Sequence, residues 1–471
     1  MLVTARIWRC LVVLAGALIL MWPAFWSGYP LLYPDSMSYI GDGRQLAKIV
    51  FLHAPKGYSA MRSEIYSLGI YFFHWNISAW PVIALHALLT AYILWLVVRS
   101  FRRGSDAGTR LRFLILITGL SFTTSLAWYT SVVLPDILGP ILYLAIYLLV
   151  FAKESLSTKE QWAVAAISWW AIAAHSTHLM LAVWICCLLA LLLLLRWPPM
   201  RLRGRALAAV AAVVFLTAAT QIFLHGYLYG KPSLYGNRMP YLTARVVADG
   251  PGRWYLQQHC GQLNWAICAR VAKLPDNDDD FLWGDTGVWA SSSPVQQQQM
   301  LREETPLVVA AVREYPKAQL QRSVANFWGE FTDYGLWDFG GSSWIDHELD
   351  KLLPGAEAKY LRTRQGRGRL PNVFFSGVQN MVVTGSAVLI AIGIPMLWWW
   401  HRWQILGLIA IIVPTVVVNA LITAVLSESD SRYQSRVIWL IPLTAGLILT
   451  DSLNRRRNLF NGSGAGATKE I

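Results

Sequence analysis

The chain has 471 residues, of which 55% are hydrophobic and only 14% are charged, and its formal net charge is +13 at pH 7. Soluble domains carry about 25% charged residues, so the composition excludes an ordinary soluble protein and indicates a membrane protein. Residues 231–376 contain 16 basic and 16 acidic residues, so the excess of basic residues lies elsewhere and follows membrane topology. It does not indicate a nucleic-acid partner.

Ten apolar segments are candidates for membrane-spanning helices, since a span needs roughly 20 mostly apolar residues. They lie at 7–27, 77–98, 113–134, 137–152, 162–177, 179–195, 206–227, 378–400, 404–426 and 437–451. The fourth, fifth, sixth and tenth are short, so a tilted or re-entrant course stays open for them. The expected fold class is an all-α polytopic membrane protein with about ten transmembrane helices.

Lysine and arginine residues cluster at one end of these segments, for example at 99–112, 196–205 and 455–457. Cytoplasmic loops are enriched in basic residues, so that side is assigned to the cytoplasm, with both chain ends inside. The long connections at 28–76 and 228–377 then lie outside.

This topology divides the chain into four parts. An N-terminal transmembrane block, 1–227, contains the first outer loop, 28–76. An extracytoplasmic insert of mixed structure follows at 228–377, and C-terminal transmembrane helices at 378–457. The tail, 458–471, is rich in glycine and alanine and is expected to be disordered in the cytoplasm.

Amphipathic helices are predicted outside the spans as well. The first outer loop contains two, at Ser36–Phe51 and Met61–Trp75, which are expected to lie in the membrane interface. Asp42 is placed on the polar face of the first. In the insert, apolar residues at helical spacing predict one long helix over Pro306–Phe331.

Asp35 and Asp136 are the acidic residues that say most about function, because each lies at a predicted membrane boundary, where a carboxylate is costly to keep. Group transfer to a hydroxyl needs a base near its proton, and Asp35 is the first candidate. Asp136 is a candidate for orienting the acceptor or for holding a divalent metal ion. The structural alternative for each is a helix N-cap.

Arg432 and Arg436 are basic residues on the predicted outer side, four positions apart and therefore on one face of a helix. Phosphate binding explains this placement, because a guanidinium fork matches a phosphate group. The alternative is ion pairing with Glu428 and Asp430.

The first outer loop offers two further candidates for phosphate binding, Lys56 and Arg62. His175 and His178 are three residues apart at a predicted outer turn, where they could contact the donor phosphate or a metal ion. Packing of neutral imidazoles at the interface is the alternative. A divalent metal ion is therefore the one cofactor suggested, and its ligands are undefined.

Cys260 and Cys268 lie in the insert, which the topology places in an oxidising compartment, so a disulfide between them is expected. Two free thiols are the alternative. The remaining three cysteines lie in predicted spans and are expected to be packing residues.

Three local motifs resemble those of the GT-C superfamily of integral-membrane glycosyltransferases. They are Pro34-Asp35-Ser36 with the run at 62–68 that leads into the second span, Pro135-Asp136 at the start of the fourth, and Ser431-Arg432-Tyr433 before the last. Relatives in that superfamily include lipid A aminoarabinose transferases and protein O-mannosyltransferases. The resemblance covers roughly the first 200 and the last 70 residues.

The resemblance implies transfer of a sugar from a polyprenyl-phosphate donor to a lipid, glycan or protein acceptor, with inversion, on the outer face of a bacterial inner membrane. It adds Tyr66 and Tyr433 to the substrate-binding candidates. The chain departs from the family pattern at Ser63 and Ser67, where prolines are frequent, and it lacks an Asp-Asp or Asp-x-Asp pair after the first span. The insert at 228–377 carries no recognisable motif, so the acceptor stays open.

Two other functions fit the same pattern. A transporter or flippase for a lipid-linked glycan also carries charges in its membrane domain, although these are expected near the middle of the spans. A glycan polymerase or ligase of similar architecture cannot be separated from a monosaccharide transferase by sequence. Membrane lipids are partners in every case, and the basic residues would attract anionic headgroups.

The predicted topology can be tested with a reporter enzyme fused after Gly340, in the outer insert. We expect activity only when the reporter is one that works in the extracytoplasmic compartment. Activity of a reporter that requires the cytoplasm would reverse the orientation of the whole chain.

Overall fold

The structure, a computed structural model, describes residues 2–55, 60, 62–102, 105–201, 203–236, 238–427 and 430–463, and leaves the side chains of 2–6 and 453–463 undescribed. Over these ranges the regular secondary structure is helical, and extended segments pair at one isolated bridge, between Leu31 and Val132. The predicted all-α class is confirmed for the described residues. Two candidates, Lys56 and Glu428, lie outside them.

The chain forms two compact units, the first comprising Met1–Gly236, Gly335–Val416 and Ser435–Ile471 and the second Asn237–Tyr334 and Val417–Gln434. The helices up to the second unit are α1 Leu2–Leu20, α2 Trp22–Ser27, α3 Pro34–Leu52, α4 Glu64–His74, α5 Trp80–Ser100, α6 Asp106–Thr123, α7 Leu126–Thr130, α8 Leu138–Phe151, α9 Thr158–Ala173, α10 Ser176–Leu194 and α11 Gly204–Tyr229. The next five are α12 Tyr241–Ala248, α13 Pro251–His259, α14 Asp278–Trp283, α15 Pro294–Glu314 and α16 Pro316–Thr332. The last six are α17 Ser343–Leu352, α18 Glu357–Tyr360, α19 Asn372–Trp399, α20 Trp403–Leu426, α21 Ser431–Ile438 and α22 Leu440–Ser463. Short 3-10 helices lie at Pro135–Ile137, Lys153–Ser155, Ala266–Lys273 and Trp337–Phe339.

Among the described residues, five helices are long and apolar enough to cross a membrane, namely α5, α10, α11, α19 and α20. Shorter apolar helices lie at Ile7–Leu20 and Pro135–Phe151. The structure is therefore that of a helical membrane protein with at least this set of candidate spans. The count of ten stays a prediction.

Several of the predicted spans are interrupted: the segment at 7–27 is divided at Met21 between α1 and α2, and the segment at 162–177 crosses from α9 to α10. In the segment predicted at 113–134, α6 ends at Thr123. The short helix α7 and an extended stretch follow it. The segment predicted at 437–451 is divided at Trp439, between α21 and α22. Pro442 accounts for the break at Trp439, because it has no N–H to donate to the carbonyl of Ile438.

The first outer loop forms α3 and α4, in the places where two amphipathic helices are predicted. Their backbones approach closely, since a Cβ on Gly43 would lie 2.4 Å from the Ser67 carbonyl oxygen, so this position requires glycine. The placement of Asp42 on the polar face is wrong. It is buried, and its carboxylate accepts a hydrogen bond from the Arg62 backbone N–H at 3.2 Å.

The second unit is built around a buried charge network and a small apolar core. Arg245 bonds to Asp249 and to Asp278, with contacts of 3.1 and 2.9 Å. Gln319 and Asn326 of α16 also donate to Asp249, at 2.7 and 2.8 Å. The described part of this unit is helical with connecting loops, so the mixed structure expected for the insert is wrong there. Residues 335–377 of the predicted insert belong to the first unit.

The single helix predicted over Pro306–Phe331 is also wrong. The structure has two helices here, α15 and α16, which meet at Tyr315 because the following Pro316 cannot continue the hydrogen-bond ladder. Pro306 lies inside α15, whose buried residues include Leu307 and Ala311. Two of the apolar residues at helical spacing in this stretch, Leu320 and Val324, are exposed.

Cys260 and Cys268 are joined in a disulfide, with their Cα atoms 5.3 Å apart. The protein has five cysteines. We expect maleimide labelling of protein denatured without reductant to add three labels, and labelling after reduction to add five. Five labels without reductant would contradict the bridge. Replacing both residues with serine should lower the stability of the insert by about 2–3 kcal/mol, by the chain-entropy estimate for a short loop.

Candidate functional site

Asp35 and Asp136 lie at the ends of two extended segments that run side by side in the first unit. The Leu31 N–H donates to the Ser131 carbonyl at 2.9 Å, and the Val133 N–H donates to the Leu31 carbonyl at 3.2 Å. This is a parallel bridge centred on Leu31 and Val132.

The register of this bridge places the two acids at the same sequence distance from it. Asp35 follows Leu31 by four residues, and Asp136 follows Val132 by four residues. Each acid directly follows a proline, and a residue before proline favours the extended conformation. Tyr33 and Leu134, the residues before the two prolines, are both extended, and each chain then turns into a helix that begins with Pro-Asp.

Asp35 forms an ion pair with the Arg62 guanidinium. It lies in the first turn of α3, and the N-cap position is occupied by Tyr33, whose N–H donates to Ser36 at 3.0 Å. Asp35 is therefore not the N-cap of this helix. The Arg62 backbone is in turn held by Asp42, which fixes the position of the guanidinium opposite Asp35.

Asp136 forms the second acid–arginine pair, with Arg436 of α21. The Arg436 Nη1 donates to the Asp136 carboxylate at 3.1 Å, and Nη2 donates to the Thr177 hydroxyl at 3.2 Å. Asp136 lies within the 3-10 helix before α8, where no side-chain cap bond is formed. The carboxylate thus neutralises a buried arginine, and it does not cap the fourth span.

The two pairs differ in exposure. The side chains of Asp35 and Arg62 are 15% and 19% exposed, whereas those of Asp136 and Arg436 are 4% and 1% exposed. Water and a substrate hydroxyl can reach the first pair more readily than the second. The first pair is therefore suited to contact with reactants and the second to holding the site together.

Both predicted histidines lie beside the Asp136–Arg436 pair. The His175 Nδ1 is 2.8 Å from the Thr177 hydroxyl that also contacts Arg436. The His178 Nδ1 donates to the Ala171 carbonyl at 2.8 Å, and a Cβ on Gly139 would lie 3.0 Å from its Nε2. The glycine provides room for the buried ring, one turn after Asp136.

Tyr66 is fully buried beneath these groups. Its hydroxyl is 3.1 Å from the His86 Nε2, and its ring stacks on that of Trp170 at a centroid distance of 5.8 Å. Burial raises the pKa of Tyr66 well above its ordinary value, and the charges of Tyr39 and Asp136 raise it further. Tyr66 therefore supports the site as a neutral phenol.

Arg432 and Tyr433, predicted to bind substrate with Arg436, are described with the second unit. The Arg432 backbone N–H donates to Asp430 at 3.0 Å, and its guanidinium lies 3.9 Å from the same carboxylate. The Arg432 Nη2 also donates to the Tyr433 hydroxyl at 3.1 Å. Arg432 thus contacts Asp430, whereas Arg436 contacts Asp136. Ion pairing of Arg432 with Asp430 was the alternative to phosphate binding in the sequence analysis.

The described residues contain no group of three or more histidine, cysteine, aspartate or glutamate side chains placed to hold a metal ion. The carboxylate of Asp136 faces a guanidinium, which disfavours a second cation at the same oxygens. These residues do not fit a divalent ion, and no chemical step is derived through one.

A third cluster, around Glu64, was missed by sequence reasoning. The Glu64 carboxylate contacts the His225 Nε2 at 3.2 Å and accepts a hydrogen bond from the Tyr229 hydroxyl at 2.7 Å. His225 also bonds through Nδ1 to the Ser233 carbonyl at 2.7 Å. The position of Glu64 next to Arg62 was a signal for this cluster, but nothing in the sequence indicated that α11 supplies its partners.

No family model, curated protein or solved structure matches the chain. The function must therefore be inferred from the arrangement of the residues themselves.

The dependence of Asp136 on Arg436 can be tested by stability. We expect Arg436→Met to lower the stability by about 3–5 kcal/mol, because it leaves a buried carboxylate without its guanidinium partner. Adding Asp136→Asn to this variant should restore most of the loss. The measurement is the unfolding transition of the purified protein in detergent.

A double variant as unstable as Arg436→Met alone would contradict the pairing. Arg302→Met is the matched control, since Arg302 is an exposed arginine of α15 and its replacement should leave the transition unchanged.

Proposed function

We propose that the protein is a GT-C-like membrane glycosyltransferase, which moves a sugar from a polyprenyl-phosphate donor to an acceptor hydroxyl on the extracytoplasmic face. The observation that supports this most is that two carboxylates, each four residues beyond a parallel bridge that joins their segments, both pair with an arginine. Such pairs combine the proton acceptor and the positive charge that glycosyl transfer from a phosphate requires.

Asp35 is assigned as the general base, since its carboxylate is partly accessible and lies opposite a guanidinium. It takes the proton of the acceptor hydroxyl while the hydroxyl oxygen forms a bond to the anomeric carbon. The bond from that carbon to the phosphate oxygen breaks at the same time. The polyprenyl phosphate leaves with the electron pair, and a single displacement of this kind inverts the anomeric centre.

Arg62 is assigned to the departing phosphate. A guanidinium can bind a carboxylate and a phosphate oxygen at once, because it presents several donors in a planar fork. As charge develops on the phosphate, Arg62 shifts its attraction from Asp35 towards the leaving group. Asp136 and Arg436 hold α8, α10 and α21 around this point and act as positioning residues.

The alternative is a transporter or flippase for a lipid-linked glycan, and the distribution of charge favours the enzyme. Across the five candidate spans of the structure, Arg99 and Arg205 are the only Asp, Glu, Lys or Arg residues. Both lie within two residues of a helix end. A transport pathway would be expected to carry ionisable residues near the middle of the spans.

The base can be tested with Asp35→Asn, which keeps the shape of the side chain but cannot accept the proton. We expect this variant to insert and fold normally and to lose roughly 100-fold or more in rate, the scale of general-base removal. The assay is the level of polyprenyl-linked sugar in a deletion strain complemented with each variant. Asp276→Asn is the control, since the Asp276 side chain is 96% exposed in the other unit.

The side of the membrane on which the lipid-linked sugar accumulates separates the two functions. Loss of a transferase leaves the unused donor on the outer face, whereas loss of a flippase leaves it on the cytoplasmic face. Accumulation on the cytoplasmic face would contradict the proposal, as would normal turnover by Asp35→Asn.

A further inference from the structure

Four arginines lie close together in the segment 362–369, called here the arginine loop. They are Arg362, Arg364, Arg367 and Arg369, and with Trp26, Ser27 and Thr363 they line a surface cavity of about 320 Å³. All of these residues belong to the first unit. The volume is at the lower end of the roughly 300–1,000 Å³ typical of small-molecule sites.

The charge of this cavity is not compensated nearby. None of the four guanidinium groups forms an ion pair with a carboxylate in the part of the chain that the structure describes. The sequence has no Asp or Glu from Ala358 to Ser427. Four like charges in eight residues repel one another, so their retention points to an anion that binds between them.

The backbone of the arginine loop is fixed before any ligand arrives. The buried side chain of Gln365 donates to the Leu32 carbonyl at 2.7 Å and accepts from the Leu32 N–H at 3.0 Å. The Arg364 N–H donates to the Ser27 carbonyl at 3.1 Å. A preformed loop loses little conformational freedom on binding, which favours affinity.

The position of the cavity indicates where the anion comes from. The arginine loop directly precedes α19, a candidate span, at the end that the predicted topology places outside. The Arg364 guanidinium lies over the Trp26 ring, 4.6 Å from its centroid. Tryptophan at the end of a span is typical of the headgroup region of a bilayer.

We infer that the arginine loop and Trp26 form a phosphate-binding site that holds the phosphate group of a lipid at the outer surface of the membrane. Guanidinium forks match phosphate oxygens, and phospholipid headgroups carry a phosphate at that level. The site does not depend on the proposed glycosyl transfer, since it contains neither Asp35 nor Asp136.

The test is binding of short-chain phosphatidic acid to the purified full-length protein in detergent, followed by native mass spectrometry. We expect Arg362→Gln/Arg367→Gln/Arg369→Gln to bind it roughly tenfold or more weakly than the wild type, because charge-assisted hydrogen bonds are lost. The control Arg302→Gln/Arg313→Gln/Arg322→Gln removes the same charge from exposed positions of the second unit and should bind as the wild type does.

Two further arms identify the source of the phosphate. The matching diacylglycerol, which lacks phosphate, should not bind at this site. If inorganic phosphate competes fully at similar concentration, the site takes a soluble phosphate and the lipid assignment is overturned. Equal binding of phosphatidic acid by the triple variant and the wild type would overturn the site itself, and so would an equal loss in the control.

The single variant Arg367→Gln guards against misfolding of the triple variant, and it should give a partial loss. The readout is binding and not turnover. Loss of the phosphate-site proposal would therefore leave the glycosyltransferase proposal intact, and loss of the glycosyltransferase proposal would leave the phosphate site intact.

Discussion

The first unit depends on the compensation of charge that is buried against apolar helices. Arg436 is buried, and an isolated guanidinium in such surroundings would be destabilising by several kcal/mol. It is tolerated because Asp136 and Thr177 both bond to it. This requirement joins α21 to the starts of α8 and α10, which are more than 250 residues away in sequence.

Much of the site could be predicted from residue type and position, because a carboxylate at a membrane boundary is informative by itself. That argument identified Asp35 and Asp136. Phosphate binding was the reason for naming Arg62 and Arg436. Which acid pairs with which arginine could not be predicted, since Arg436 lies 300 residues from Asp136 and no sequence pattern links them. The helices α3 and α4 were predicted from periodicity, a local property.

The failures of prediction share a physical cause, which is that tertiary contacts override local patterns. Asp42 looked like a surface residue of an amphipathic helix, but the Arg62 N–H provides the partner that allows its burial. The long insert helix was expected from apolar spacing alone, and that spacing does not register the missing N–H of Pro316. Arg432 and Arg436 have the same pattern in sequence, yet one engages Asp430 and the other Asp136.

The two extended segments give the site a constraint on how it can change. Each carries a Pro-Asp dipeptide at the same distance from the bridge, and the Gln365 side chain bonds to both backbone groups of Leu32 on the first of them. Displacement of the arginine loop would therefore act directly on the segment that ends at Asp35. Leu32, which lies three positions before Asp35, is therefore the point where the arginine loop contacts the segment that carries the candidate base.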